Sequence, residues 1–98
     1  GEDNLSFIFD AFSRDQSKIH LMQNSAISFS VCVDEDPAKT GPLIAELQQQ
    51  FIVLYNSGLE LLTIRNYDQQ IIAKLTENKR ILMEQRSRNT LQMVLSNN

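Results

Sequence analysis

From Ala26 to Val33 the chain alternates between small and large side chains. Ile27, Phe29, Val31 and Val33 fall on one side of the period, and Ala26, Ser28, Ser30 and Cys32 on the other. Period two is the signature of an extended strand and is incompatible with an amphipathic helix over the same residues. A strand with one bulky face must lay that face on a second layer, so this stretch calls for a sheet covered on one side by helices. The small face is expected to be lightly covered or to lie at an interface.

Helices to supply that layer are legible on either side. Asp3 or Asn4 is placed to cap a helix carrying Leu5, Ile8, Phe9 and Phe12 at i, i+3, i+4 and i+7, ending near Arg14. Lys18–Met22 reads as a strand, and Gln23-Asn24-Ser25 as the turn into the alternating strand. Asp34-Glu35-Asp36-Pro37 ends that strand. Pro42 is expected at the first position of a second helix with Leu43, Ile44 and Leu47 on its stripe. Phe51–Tyr55 then reads as a strand, Asn56-Ser57-Gly58 as a tight turn and Leu59–Tyr67 as a further strand. Asp68 caps a third helix with Ile71, Ile72 and Leu75, followed by strands over Arg80–Gln85 and Thr90–Leu95.

The order helix-strand-strand thus occurs three times. Its first and third occurrences share a Leu-Met pair in the leading strand, Leu21-Met22 and Leu82-Met83, a weak internal repeat. This pattern predicts an α+β sandwich of ferredoxin-like topology, an antiparallel sheet with helices on one face. The 98 residues suffice for one domain or two very small units.

Several function classes are disfavoured by residue chemistry. A net charge of −3 argues against a general nucleic-acid partner, and no apolar run is long enough to span a membrane. Gly1–Asn4 carries neither a basic nor an apolar segment, so no signal peptide is expected. A single cysteine gives no internal disulfide, which favours the cytoplasm. One histidine and one cysteine supply no metal cluster and no nucleophile with a spare base, and the three glycines form no phosphate loop. His20 and Cys32 read as ordinary strand residues, Asp34-Glu35-Asp36 as a solvated turn, and the basic residues from Lys79 to Arg88 as a solvated or partner-facing surface. A small hydrolase such as an acylphosphatase would need a phosphate-cradling loop and arginine ahead of the first helix, and Gly1–Asn4 offers none. RNA binding through the sheet would need exposed strand aromatics, whereas Phe29 shares its side with Ile27 and Val31.

The segment from Leu5 to Asp34, with its centre Ile19-His20-Leu21-Met22-Gln23-Asn24-Ser25-Ala26-Ile27-Ser28-Phe29-Ser30-Val31-Cys32-Val33, resembles the first ACT unit of aspartate kinases. In that family a helix containing Phe leads into a hydrophobic strand, a polar turn and an alternating strand ending in Asp. The spacing from Phe9 to Leu21 keeps that arrangement. Leu59–Tyr67, Asp68–Glu77 and Arg80–Leu95 resemble the opening strand, helix and following strands of a second unit. The resemblance implies tandem, incomplete ACT units packed as one regulatory domain. The first covers residues 1–56 without its leading strand, and the second, partial, covers 57–98.

The resemblance further implies an amino-acid-sensing regulatory role with no catalysis in this chain. Feedback would come from an end product such as lysine or threonine, with a homodimer formed through the ACT units and a kinase domain in cis. ATP and magnesium would belong to that kinase domain and no cofactor to this chain. The effector is expected between the start of the first helix, at Asp3, Asn4 and Leu5, and the strand-turn carrying Lys18, Ile19, His20, Gln23, Asn24, Ser25 and Ala26. Helix N–H groups would face its carboxylate and turn carbonyls its ammonium. His20 stands where the family carries an aspartate, and Ala26 where it carries a glutamate. The alternative reading is a structural dimerisation module that binds no ligand.

Overall fold

Helix α1 spans Glu2–Arg14 and buries Ile8, Ala11 and Phe12. The computed structural model describes the backbone of residues 2–97 and the side chains of residues 4–97. The helix begins earlier than expected, so Asp3 and Asn4 lie in its first turn instead of capping it, and the Asp3 side chain lies outside the described residues. Acidic residues in a first turn complement the helix dipole. The helix ends in a Schellman arrangement: Ser17 N–H donates to Phe12 C=O and Gln16 N–H to Ser13 C=O, with Gln16 at φ 54°.

Two strands follow, β1 (Ile19–Asn24) and β2 (Phe29–Val33), antiparallel, with Gln23 opposite Ser30 and Asn24 opposite Phe29. A bulge between Ile19 and Leu21 leaves His20 as the extra residue. Phe29, Val31 and Val33 pack on the cluster of Ile8, Ala11, Phe12 and Leu43, so the large face of the alternation meets the helices. Ile27 departs from that pattern. It lies in the bend and is 95% exposed, because the chain turns at Ser25–Ser28, later than the sequence suggests, and leaves Gln23 and Asn24 inside β1.

Helix α2 (Pro37–Leu47) closes this cluster with Leu43, and its Leu47, with Phe51 beyond it, packs against the cluster. The proline at its start is Pro37, not Pro42. Asp36 is the cap: its Oδ1 accepts from Ala38 N–H at 3.1 Å, and Thr40 Oγ1 accepts from Asp36 N–H at 3.2 Å. Pro42 sits inside the helix. Gly41 ahead of it has no Cβ to clash with the proline ring, which eases the α conformation at that step. Arg14 and Glu46 form an ion pair between α1 and α2.

Phe51–Tyr55, expected as a strand, forms no ladder. Phe51 meets Phe7 edge to face at 5.9 Å, while Ile52 and Leu54 are 95% and 90% exposed. The β-branched and aromatic residues favour an extended backbone, but a strand also needs a neighbouring edge, and residues 51–55 have none among the described residues.

The chain divides into two compact units, Gly1–Tyr55 and Asn56–Asn98. The second holds a three-stranded antiparallel sheet in the order β3-β5-β4, from β3 (Glu60–Arg65), β4 (Lys79–Arg86) and β5 (Thr90–Asn97). Helix α3 (Gln69–Leu75) is capped by Asp68 as its sequence predicts, with Oδ1 accepting from Ile71 N–H at 2.8 Å. Ile72 then joins Ile64, Leu91, Met93 and Leu95 in the core of this unit. Each buried Leu or Met contributes about 1.5–3 kcal/mol, and the central position of β5 is why three of them lie there.

The protein is therefore α+β, with three helices among the described residues. The single expected sheet is instead two small antiparallel sheets, because 51–55 does not extend β1–β2. The internal repeat persists as local geometry. The Leu-Met strands of both hairpins carry a bulge, between Ile19 and Leu21 and between Ile81 and Met83.

Candidate functional site: a polar concavity at a hairpin bend

The β1–β2 bend is built by one side chain. Ser25 Oγ accepts from Ile27 N–H at 3.3 Å and from Ser28 N–H at 3.1 Å, and lies 2.9 Å from Ser28 Oγ. Ser25 N–H donates to Ser28 C=O at 2.9 Å. A serine hydroxyl that takes over the acceptor role of a backbone carbonyl lets a short hairpin close without a left-handed residue. None of residues 25–28 has positive φ.

Beside this bend is a shallow, open concavity lined by Gln23, Asn24, Ser25, Ser28 and Ser30. None of the five carries a charge. Asn24 and Ser30 make no side-chain hydrogen bond among the described residues, so an amide and a hydroxyl are left to a visitor. Gln23 and Ser30 are paired across the strands. By the pleat, Ser30 points away from the face on which Phe29 and Val31 meet the helices.

The expected site residues are not all gathered at this concavity. Phe9 meets Phe29 edge to face at 5.7 Å, so α1 lies against the large face of the hairpin. Phe29 is opposite Asn24, which puts Phe9 of α1 toward the bend end, on the side of the hairpin opposite Ser30. Asn4 and Leu5 line none of the concavity. Lys18, Ile19 and His20 belong to the other end of the hairpin, about 17 Å from Asn24 along β1. Ile19 packs on the helical cluster, and His20 Nε2 lies 2.8 Å from Asp34 Oδ1. Ala26 is exposed in the bend outside the lining. Of the expected residues, the structure brings together Gln23, Asn24 and Ser25 and adds Ser28 and Ser30. Ser28 and Ser30 had a sequence signal, as two serines on the small side of the alternating strand.

Cys32 lies on that same strand. Burial, and then the nearby Asp34 carboxylate, push its thiol above the ordinary range, which keeps it protonated and unreactive near neutral pH. Among the described residues no group of three or more histidine, cysteine, aspartate or glutamate side chains is placed to hold a metal ion. None of the described helices is long and apolar enough to cross a membrane.

Two basic residues of the second unit, Lys79 and Arg86, are tied to its own residues. Lys79 Nζ lies 3.2 Å from Glu60 Oε1 and 3.0 Å from Asn97 Oδ1. Arg86 Nε donates to Glu84 Oε2 at 3.1 Å, and its guanidinium stands 5.8 Å from the Tyr67 ring centroid. The Glu84 hydrogen bond and charge hold Arg86 still more firmly in its protonated form.

No protein-family model, curated protein or solved structure matches this chain.

Proposed function

We propose that this chain is an amino-acid-sensing regulatory module of the ACT type, attached to an aspartate kinase, and that the β1–β2 bend is its effector site. The observation that carries the reading is the uncharged concavity of Gln23, Asn24, Ser25, Ser28 and Ser30 at the bend end of the β1–β2 hairpin. A free α-amino acid needs donors for its carboxylate and acceptors for its ammonium. The Asn24 amide supplies both, and the serine hydroxyls likewise donate or accept. A site at an exposed bend is also one that a second subunit can close. Binding to one subunit arrangement in preference to another would then bias the kinase domain, and such coupling is typically about 1–3 kcal/mol. ATP, magnesium and phosphoryl transfer to aspartate belong to that kinase domain.

Titration calorimetry of the chain with L-lysine, L-threonine and L-methionine tests the reading. Saturable heat with at least one of them, at millimolar affinity or better, is the expected outcome. Silence with all three favours the second reading, a structural dimerisation module without a ligand. One observation speaks for that alternative: residues 52–55 expose Ile52, Leu54 and Tyr55 on an unladdered, β-prone segment. Sedimentation equilibrium distinguishes the two, since the second reading requires a dimer that Leu54→Lys disrupts and no effector heat.

A further inference from the structure

We infer that the concavity selects an amino acid with an uncharged polar side chain, such as threonine or serine, and discriminates against both lysine and aspartate. This rests on the sensing reading above and narrows it to a ligand class. Every side chain on the lining is an amide or a hydroxyl. A lysine ε-ammonium leaving water for such a surface would exchange its hydration for neutral acceptors, with no carboxylate on the lining to compensate the charge. An aspartate side chain would meet no lysine or arginine there.

The nearest acidic group on the hairpin, Asp34, follows the last residue of β2, at the end away from the bend, and is hydrogen-bonded to His20. Lys18 precedes β1 at that same far end. Neither charge reaches the bend, about 17 Å away along the strand. A ligand hydroxyl, in contrast, finds partners that both donate and accept. The unpaired Asn24 amide and Ser30 hydroxyl are available, and Ser28 Oγ keeps hydrogen-bonding capacity beyond its contact with Ser25. Ser25 itself is committed to closing the bend and acts as a positioning residue.

The test is calorimetry of the chain with L-threonine, L-serine, L-lysine and L-aspartate, on the native sequence and on Ser30→Asp. Circular dichroism checks that the variant is folded, and Ser30→Asn serves as a neutral second variant. We expect threonine or serine to bind the native chain at least about tenfold more tightly than lysine or aspartate, the difference left by desolvating a charge that finds no counter-charge on the lining. Ser30→Asp should move the preference toward lysine by a similar factor, and Ser30→Asn should leave lysine as weak as before. Lysine binding as tightly as threonine to the native chain overturns this inference and leaves amino-acid sensing standing. Absence of heat with every amino acid overturns both.

Discussion

Phe9 and Phe29 meet edge to face, with ring centroids 5.7 Å apart and planes inclined at 87°. This contact marks the side of the β1–β2 hairpin that meets the helices. Phe29 is half-buried on the cluster of Ile8, Ala11, Phe12 and Leu43, and Ser30, the next residue, faces the other way. Phe29→Ala is therefore expected to destabilise the first unit by about 2–3 kcal/mol, combining lost apolar burial with the lost ring pair. Urea denaturation followed by circular dichroism checks it. An unchanged midpoint would mean that α1 does not rely on this face.

Ser25 carries the bend through its Oγ, which accepts from two backbone N–H groups. Ser25→Ala leaves both of them to water and should cost about 1 kcal/mol of stability. It should also loosen the concavity, so effector affinity should fall together with stability. Ser25→Asp, which restores an acceptor at the same place, should recover the stability. Denaturation of both variants measures the difference.

Much of this arrangement was readable in advance, and the limits have physical causes. The alternation around Phe29, Val31 and Val33 and the stripe of Ile8 and Phe12 predicted the two faces that now form one core. Asp68 announced α3 because a cap acts within a few residues of its own position. The bend was misplaced because Ile27 fits the period equally well in a strand, and only the reach of Ser25 Oγ to Ile27 and Ser28 excludes it. Phe51–Tyr55 shows the other limit, since β propensity specifies an extended backbone without specifying the edge it must meet. The site residues divided for the same reason. Gln23, Asn24 and Ser25 are neighbours in sequence, while Ser28 and Ser30 join them only through the cross-strand register.

Gln16 holds a left-handed backbone at φ 54° where α1 ends, a position that favours glycine. Gln16→Gly should stabilise the chain by about 1 kcal/mol, because it relieves the Cβ penalty while the Ser17-to-Phe12 and Gln16-to-Ser13 hydrogen bonds remain. Gln16→Ala, which keeps the Cβ, should bring no such gain. Thermal melts of the two variants make the comparison.

The Cys32 thiol titrates above its ordinary range, first because of burial and second because of Asp34. A folded-state pKa above the unfolded one adds stability that is fully present below the unfolded value, about 8.5, and is lost as pH rises through the folded value. Stability should accordingly fall on the alkaline side above about pH 8.5, and Cys32→Ser should flatten that decline. Alkylation by iodoacetamide at pH 8 should be slower than for a free thiol, and Asp34→Asn should accelerate it by removing the nearby negative charge. Equal rates for the native chain and Asp34→Asn would contradict the assignment of that charge.

The most direct measurement is a backbone amide NMR titration of the chain with L-threonine. Binding at the hairpin bend predicts saturable shift changes concentrated in Gln23–Ser30, with small effects at Asn4–Phe7 and in the second unit. Shifts centred on the start of α1, or on Asn56–Asn97, or no shifts at millimolar ligand, would contradict it.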